Sequence, residues 1–167
     1  MLIKGIIDED FINYKKPSMV IMCPTCSFKC DKECGEQVCQ NSALATSPDI
    51  EIEIDDLINR YLKNAITHAV VFSGLEPFDD IHNVLHFIDD LRSKYHNHDD
   101  VIIYTGYTKE EINEKFHDEY YMLSFLGTNG SIYIKYGRFI PNKPKRYSNV
   151  LGVTLSSDNQ YAEKVLF

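Results

Sequence analysis

All five cysteines of this chain lie in one window. Cys23, Cys26, Cys30, Cys34 and Cys39 stand between residues 23 and 39, and the rest of the sequence has none. Disulfide frameworks usually join distant segments of small secreted domains through an even number of cysteines, so an odd number in one window fits poorly. Thiolate sulfur is a soft ligand that favours zinc or iron–sulfur clusters. The window therefore predicts a loop that binds a metal centre.

The length and composition limit the remaining choices. A chain of 167 residues suits one domain, residues 1–167, and is too short for a complete (β/α)8 barrel of about 250 residues. The net charge of −8 argues against a general nucleic-acid binder. Apolar runs fall short of the ~18 residues of a membrane span, and residues 1–5 lack the pattern of a secretory signal. We therefore expect a cytoplasmic protein that binds neither nucleic acid nor membrane.

Short apolar runs alternate with segments of helical periodicity. The runs 18–22, 68–72, 101–104 and 132–136 predict strands, preceded by a strand over 2–7. The spacing of Ile54, Leu57, Ile58 and Tyr61 predicts a helix, and so does the apolar stripe that begins at Ile81. Thr108 and Glu111 form a capping box that marks a third helix start. This order predicts a parallel sheet flanked by helices, with ligands bound beyond the carboxyl ends of the strands.

The predicted strand ends carry small or polar residues. The first leads into the cysteine window, and the second ends in Ser73-Gly74-Leu75-Glu76-Pro77, where glycine lets a ligand approach the backbone. The next two end in Thr105-Gly106-Tyr107 and Gly137-Arg138-Phe139. Glu76-Pro77 and Thr105-Gly106, each taken alone, also fit a plain strand-to-helix turn. Their common position at one edge is what predicts a ligand site.

The motifs, in this order, resemble the radical S-adenosylmethionine family. In that family the first strand leads into a C-x3-C-x2-C loop and the second ends in a G-G-E-P type motif. Cys26 and Cys30 form the C-x3-C pair here, and Gly74-Leu75-Glu76-Pro77 is similar to the second motif. Within the family, 104–107, 137–139 and 157–160 are similar to segments of the activating proteins of anaerobic ribonucleotide reductase. The resemblance runs from the second strand almost to the C-terminus.

The resemblance implies a fold, cofactors and partners. The fold is α/β, a partial (incomplete) parallel β/α barrel. Three thiolates would hold a 4Fe-4S cluster, and S-adenosyl-L-methionine would bind the open iron through its amino and carboxylate groups. Its cleavage to a 5′-deoxyadenosyl radical would install a glycyl radical on a partner ribonucleotide reductase, with a flavodoxin-type electron donor. The cofactor-binding residues that it implies are Ser73, Gly74, Glu76, Pro77, Thr105, Tyr107, Arg138 and Asn159.

Cys34 and Cys39 are both candidates for the third cluster ligand, because the spacing after Cys30 departs from the family pattern. Three residues separate Cys30 from Cys34, and eight separate Cys30 from Cys39. We favour Cys39, since Cys39-Gln40-Asn41 resembles the C-x-N continuation of the family, and Val38 supplies an apolar neighbour. Cys34 is the alternative third ligand. Cys23 either packs beside the cluster or serves as a fourth ligand.

Two other functions fit parts of the sequence. One is a radical S-adenosylmethionine enzyme with a different substrate. The other is a non-catalytic interaction module, in which Cys23, Cys26, Cys34 and Cys39 hold a closed tetrahedral zinc site. The second leaves Cys30 and the turn after the second strand unexplained. The basic stretch 135–146 is typical of a solvated loop, but near the ligand edge its Arg138 is a candidate to bind a cofactor carboxylate or an acidic partner surface.

Overall fold

A mixed sheet of six strands is the centre of the computed structural model, which describes residues 1–167. The ten strands are β1 (Leu2–Ile3), β2 (Gly5–Asp10), β3 (Ser18–Cys23), β4 (Ile50–Glu51), β5 (Ala69–Gly74), β6 (Asp100–Tyr104), β7 (Ile132–Tyr136), β8 (Arg146–Ser148), β9 (Val153–Leu155) and β10 (Tyr161–Lys164). Six of them form the main sheet in the order β10-β7-β6-β5-β3-β2, and β1-β4 and β8-β9 form small pairs.

The four central strands run parallel and the two outer strands run antiparallel to their neighbours. The pairs β3–β5, β5–β6 and β6–β7 are parallel, whereas β2 pairs with β3, and β10 with β7, in the antiparallel sense. The central strands are the four apolar runs of the sequence, and the sheet does not close into a barrel. The strand expected over 2–7 is divided in two: β1 pairs with β4, and β2 forms the sheet edge.

Six helices accompany these strands. They are α1 (Lys29–Cys34), α2 (Ser42–Thr46), α3 (Ile54–Lys63), α4 (Ile81–Ser93), α5 (Lys109–Lys115) and α6 (His117–Leu126), with short 3-10 turns at Pro77–Asp80 and Gly127–Asn129. The capping box of Thr108 and Glu111 begins α5 as the sequence predicts. The sequence patterns did not reveal α1 or α2, which lie in and just after the cysteine window, or α6. No helix of the structure is both long and apolar enough to cross a lipid bilayer.

The two faces of the sheet are covered differently. Alternate strand residues point to opposite faces, so Val70 and Phe72 of β5 belong to a core of 27 buried residues beneath helices α3 to α6. Val71 points to a smaller core of 8 buried residues, where Tyr14 and Leu151 cover the sheet. The helical side is thus fully packed, and the thinner cover on the other side leaves room for a cavity at the strand ends.

Candidate functional site

A cavity of about 410 Å³ lies at the carboxyl ends of the parallel strands. Its walls include side chains from the less covered face of the sheet, such as Val20, Tyr104 and Lys135. Most of the remaining wall comes from the cysteine window, the strand ends 73–76, 104–107 and 137–139, and the hairpin segment 153–156. The strand ends singled out in the sequence therefore meet around one space of a size that suits a small molecule.

Three of the five thiols face this cavity. Cys26, Cys30 and Cys39 line it and are each half-buried. Cys23 is fully buried at the end of β3 in the helix-side core, and Cys34 is exposed at the end of α1. No three His, Cys, Asp or Glu side chains lie close enough to hold a single metal ion. The three thiols favoured as cluster ligands thus line one cavity, whereas Cys23 and Cys34 of the zinc alternative do not line it.

Several hydrogen bonds hold the cysteine window against the end of β5. The backbone N–H of Glu76 donates to the Thr25 carbonyl at 2.7 Å. Beyond it, the Ser27 N–H donates to the Asp79 carboxylate at 2.8 Å. After Cys39, the Asn41 side-chain amide donates to the Gly74 carbonyl at 2.7 Å. These hydrogen bonds lie before Cys26, between Cys26 and Cys30, and after Cys39, so they fix the three thiols relative to the strand ends.

Asp31 joins the two ends of the loop between Cys30 and Cys39 through hydrogen bonds. One oxygen of its carboxylate accepts the N–H groups of Val38 and Cys39, at 2.8 and 2.7 Å. Gly35 ends α1 with a φ of +72° and donates its N–H to the Asp31 carbonyl. The intervening residues 32–37 are all exposed. The sequence analysis did not identify Asp31, because this residue stands in a charged stretch without periodicity. Its two hydrogen bonds fix the backbone at residues 38 and 39, where Cys39 lines the cavity.

Burial makes two of these thiols harder to deprotonate in the metal-free protein. It raises the pKa of Cys26 to about 11, although the Phe28 N–H donates to its sulfur at 3.2 Å and acts in the opposite direction. Burial, with repulsion from Cys39 and Asp31, raises the pKa of Cys30 to about 12. A metal centre binds thiolates, so its binding here releases protons.

Glu76 joins the ends of two strands inside the cavity wall. Its side chain is buried, and its oxygens accept the hydroxyl of Thr105 and the N–H groups of Gly106 and Phe78, at 2.7 to 3.1 Å. Burial raises the pKa of Glu76 to about 7, although these hydrogen bonds act in the opposite direction. The carboxylate therefore fixes the end of β5 to the end of β6. Its expected role as a cofactor-binding residue stays a prediction.

Gly74 is required by the close packing of strands β5 and β3. Its φ is +81°, and a Cβ at this position would lie 2.9 Å from the Cβ of Met22. The two strands pair in register here, with Gly74 opposite Cys23. No larger residue fits without moving the strand that leads into the cysteine window.

The other residues expected to bind the cofactor divide into two groups. Ser73, Thr105 and Tyr107 line the cavity, and the Tyr107 hydroxyl donates to Asp79 at 2.7 Å. Pro77 and Asn159 do not line it. Pro77 is buried at the start of a 3-10 turn, and the Asn159 amide donates to the Arg138 carbonyl at 2.8 Å. The geometry of the cavity therefore does not support direct contact by these two.

Arg138 lines the cavity, but two carboxylates already balance its charge. One guanidinium nitrogen donates to both oxygens of Glu111, at 2.6 and 2.8 Å, and Nε lies 3.4 Å from Glu33. Burial alone would raise the pKa of Glu111, yet hydrogen bonds from Arg138, the Thr108 N–H and Lys29 lower it to about 2. Arg138 thus links the β7 end to α5 and to the exposed part of the cysteine window.

Comparison with known proteins adds one match. A family described as a 4Fe-4S single cluster domain matches residues 18–157. This range begins with β3 and contains all five cysteines and the strand ends that line the cavity. No curated protein and no solved structure matches the chain.

Proposed function

The chain belongs to the 4Fe-4S single cluster domain family, and from this premise we propose that it is a radical S-adenosylmethionine enzyme that activates an anaerobic ribonucleotide reductase. Family membership makes it an iron–sulfur protein. The observation that carries the finer proposal is the convergence of Cys26, Cys30 and Cys39 on a cavity large enough for a small-molecule cofactor.

The donor set fits an iron–sulfur cluster. Thiolates are the usual ligands of such clusters, and three cysteine side chains line this one cavity. Cys26, Cys30 and Cys39 would hold the cluster. Cys23 and Cys34 lie outside the lining, so one iron would have no protein thiolate. An iron of this kind is free to bind a cofactor.

The protein's own contribution is orientation and exclusion of water. The chemistry that the bound groups supply is reductive cleavage of a sulfonium to a 5′-deoxyadenosyl radical. The ties to Thr25, Ser27 and Asn41 hold the thiols in position, and Glu76 holds the neighbouring strand ends together. Tyr104 and the hairpin segment 153–156 form the wall on the less covered side of the sheet. A flavodoxin-type protein would supply the electron, and a glycine of the reductase would be the site of hydrogen abstraction.

Anaerobic reconstitution with iron and sulfide tests this function in two stages. We expect about four irons per chain, visible cluster absorbance, and release of 5′-deoxyadenosine from S-adenosyl-L-methionine upon reduction. Incubation with a candidate reductase should then give a glycyl radical detectable by electron paramagnetic resonance. Loading without cofactor cleavage would contradict the proposal. Cleavage without a glycyl radical on any reductase would favour a different substrate.

Asp31→Ala is expected to speed the loss of the reconstituted cluster. The variant leaves two backbone N–H groups without their carboxylate partner, so the segment that carries Cys39 is held less firmly. We expect iron release to a chelator, followed by visible absorbance, to be about tenfold faster than in the wild type. Asp31→Asn, which retains an acceptor oxygen, should lose iron more slowly than Asp31→Ala. Glu36→Ala, in the exposed part of the same loop, is the control, and equal rates in Asp31→Ala and Glu36→Ala would refute a positioning role.

A further inference from the structure

Asp79 holds the first turn of the cysteine window through its carboxylate. The residue lies in the 3-10 turn after β5, where one oxygen accepts the Ser27 N–H at 2.8 Å and the other accepts the Tyr107 hydroxyl at 2.7 Å. Ser27 directly follows Cys26, and Tyr107 lies just beyond the end of β6. A carboxylate is therefore held in one orientation beside a thiol that would bind the cluster.

The two N–H groups that follow Cys26 have different acceptors. The Phe28 N–H donates to the Cys26 sulfur at 3.2 Å, whereas the Ser27 N–H donates to Asp79. The reduction potential of an iron–sulfur cluster depends on hydrogen bonds to its sulfur atoms and on the nearby net charge. Asp79 affects both quantities, because it adds a negative charge and accepts an N–H that then donates to no sulfur.

The charge of Asp79 acts on the Cys26 thiol. Burial raises the pKa of this thiol, and the charges of Glu76 and Asp79 raise it further. A charge that disfavours a thiolate also disfavours the extra electron of a reduced cluster, because both place negative charge at the same site. Lys29, a cation of the same window, is itself paired with Glu111 at 3.1 Å, so it offsets little of this effect.

The charge of Asp79 is separable from its hydrogen bonds, which is not the case for Glu76. Glu76 is buried, and its removal leaves three donors without an acceptor. Asp79 is exposed, and an asparagine in its place keeps an oxygen for the Ser27 N–H. Exposure also means that dissolved salt screens the charge. The electrostatic effect of Asp79 is therefore measurable by itself.

We infer that Asp79 lowers the reduction potential of the cluster that Cys26, Cys30 and Cys39 would hold. The inference rests on the cluster ligands of the proposed function and is independent of S-adenosyl-L-methionine. Reduction adds one electron, supplied by the flavodoxin-type donor of the proposed function, and neither forms nor breaks a bond. A lower potential makes the reduced cluster a stronger electron donor. Asp79 touches no reacting atom, so it is a positioning residue that acts through the Cys26 segment.

Anaerobic redox titration of the reconstituted protein with dithionite tests this inference without S-adenosyl-L-methionine. Electron paramagnetic resonance and visible absorbance report the ratio of reduced to oxidised cluster. At the wild-type midpoint potential, this ratio should be roughly three- to tenfold higher in Asp79→Asn, a shift of roughly 30 to 60 mV for one electron. Asp79→Ala also frees the Ser27 N–H and should raise the ratio at least as far.

Two controls separate the charge of Asp79 from other effects. Asp89→Asn removes an exposed carboxylate in the second half of α4 and should leave the ratio within about 1.5-fold of the wild type. In 1 M salt the screening length falls to about 3 Å, so the difference between the wild type and Asp79→Asn should shrink. A difference that persists in full at 1 M salt, or an equal shift in Asp89→Asn, would overturn the inference.

The remaining outcomes separate this inference from the proposed function. If the wild type takes up no cluster, both are overturned. If it takes up a cluster and Asp79→Asn has an unchanged or lower potential, the inference fails and the proposed function stands. If the potential shifts as expected but the wild type does not cleave S-adenosyl-L-methionine, the inference stands and the proposed function fails. Iron content is measured for each variant, and Asp79→Ser replaces Asp79→Asn if the latter holds no cluster.

Discussion

Cys39→Ala is expected to abolish retention of the iron–sulfur cluster, whereas Cys34→Ala is expected to retain it in full. Cys39 faces the cavity together with Cys26 and Cys30. Its segment is held in place by two backbone N–H groups that donate to Asp31 and by the Asn41 amide, which donates to the Gly74 carbonyl. Cys34 is exposed outside that wall. Two thiolates do not replace three as a cluster site. We expect at least a tenfold loss of iron and sulfide per chain in Cys39→Ala after anaerobic reconstitution and desalting.

Cys34→Ala is a matched control, because it removes the same group from the same loop. Cys23→Ala adds a second comparison, since the thiol of Cys23 is fully buried in the helix-side core. Retention of the cluster in Cys23→Ala would show that this residue is not a fourth ligand. Full cluster content in Cys39→Ala together with loss in Cys34→Ala would reverse the assignment of the third ligand.

The central strands were predictable because each is a compact apolar run buried on both faces. Val70 and Val71, for example, are both fully buried although they point to opposite sides of the sheet. The outer strand β10 gave no such signal. It is only four residues long, and half of its burial pattern is intermediate. Its antiparallel pairing joins it to residues of β7 that lie 25 to 31 positions away along the chain, and local periodicity carries no information about such pairs.

The candidate site was predictable where a motif lies at a strand end, and not where tertiary contacts decide the role of a residue. Gly74 and Glu76 stand in a recognisable segment, and both line the cavity. Lys135 differs, because in the sequence it is one member of a basic stretch. Only the assembled fold shows that its side chain is buried in the cavity wall, where its ammonium group lies against the Gly137 and Thr105 carbonyls. Charge balance in a cavity is a property of the assembled fold.

Glu76→Ala is expected to lower the free energy of unfolding by about 3 kcal/mol. The substitution leaves the Phe78 and Gly106 N–H groups and the Thr105 hydroxyl without their acceptor. An unsatisfied buried donor costs about 1 to 3 kcal/mol, and water that enters from the adjoining cavity reduces the cost for some of them. Urea denaturation under reducing conditions measures the change. A loss below about 1 kcal/mol would show that Glu76 does not hold the strand ends together.

Glu76 also predicts how stability depends on pH. Burial raises its pKa in the folded protein from the ordinary 4.5 to about 7. Between these values the folded state keeps the proton that the unfolded state has released, so the free energy of unfolding falls as pH rises from about 4.5 to about 7. The contribution of this one group is up to about 3 kcal/mol. Other groups titrate in the same window, so the quantity to measure is the difference between the wild type and Glu76→Gln. We expect the wild type to lose stability relative to Glu76→Gln as the pH rises from about 4.5 to about 7. A difference in the free energy of unfolding that is constant with pH would show that Glu76 is ionised throughout this range.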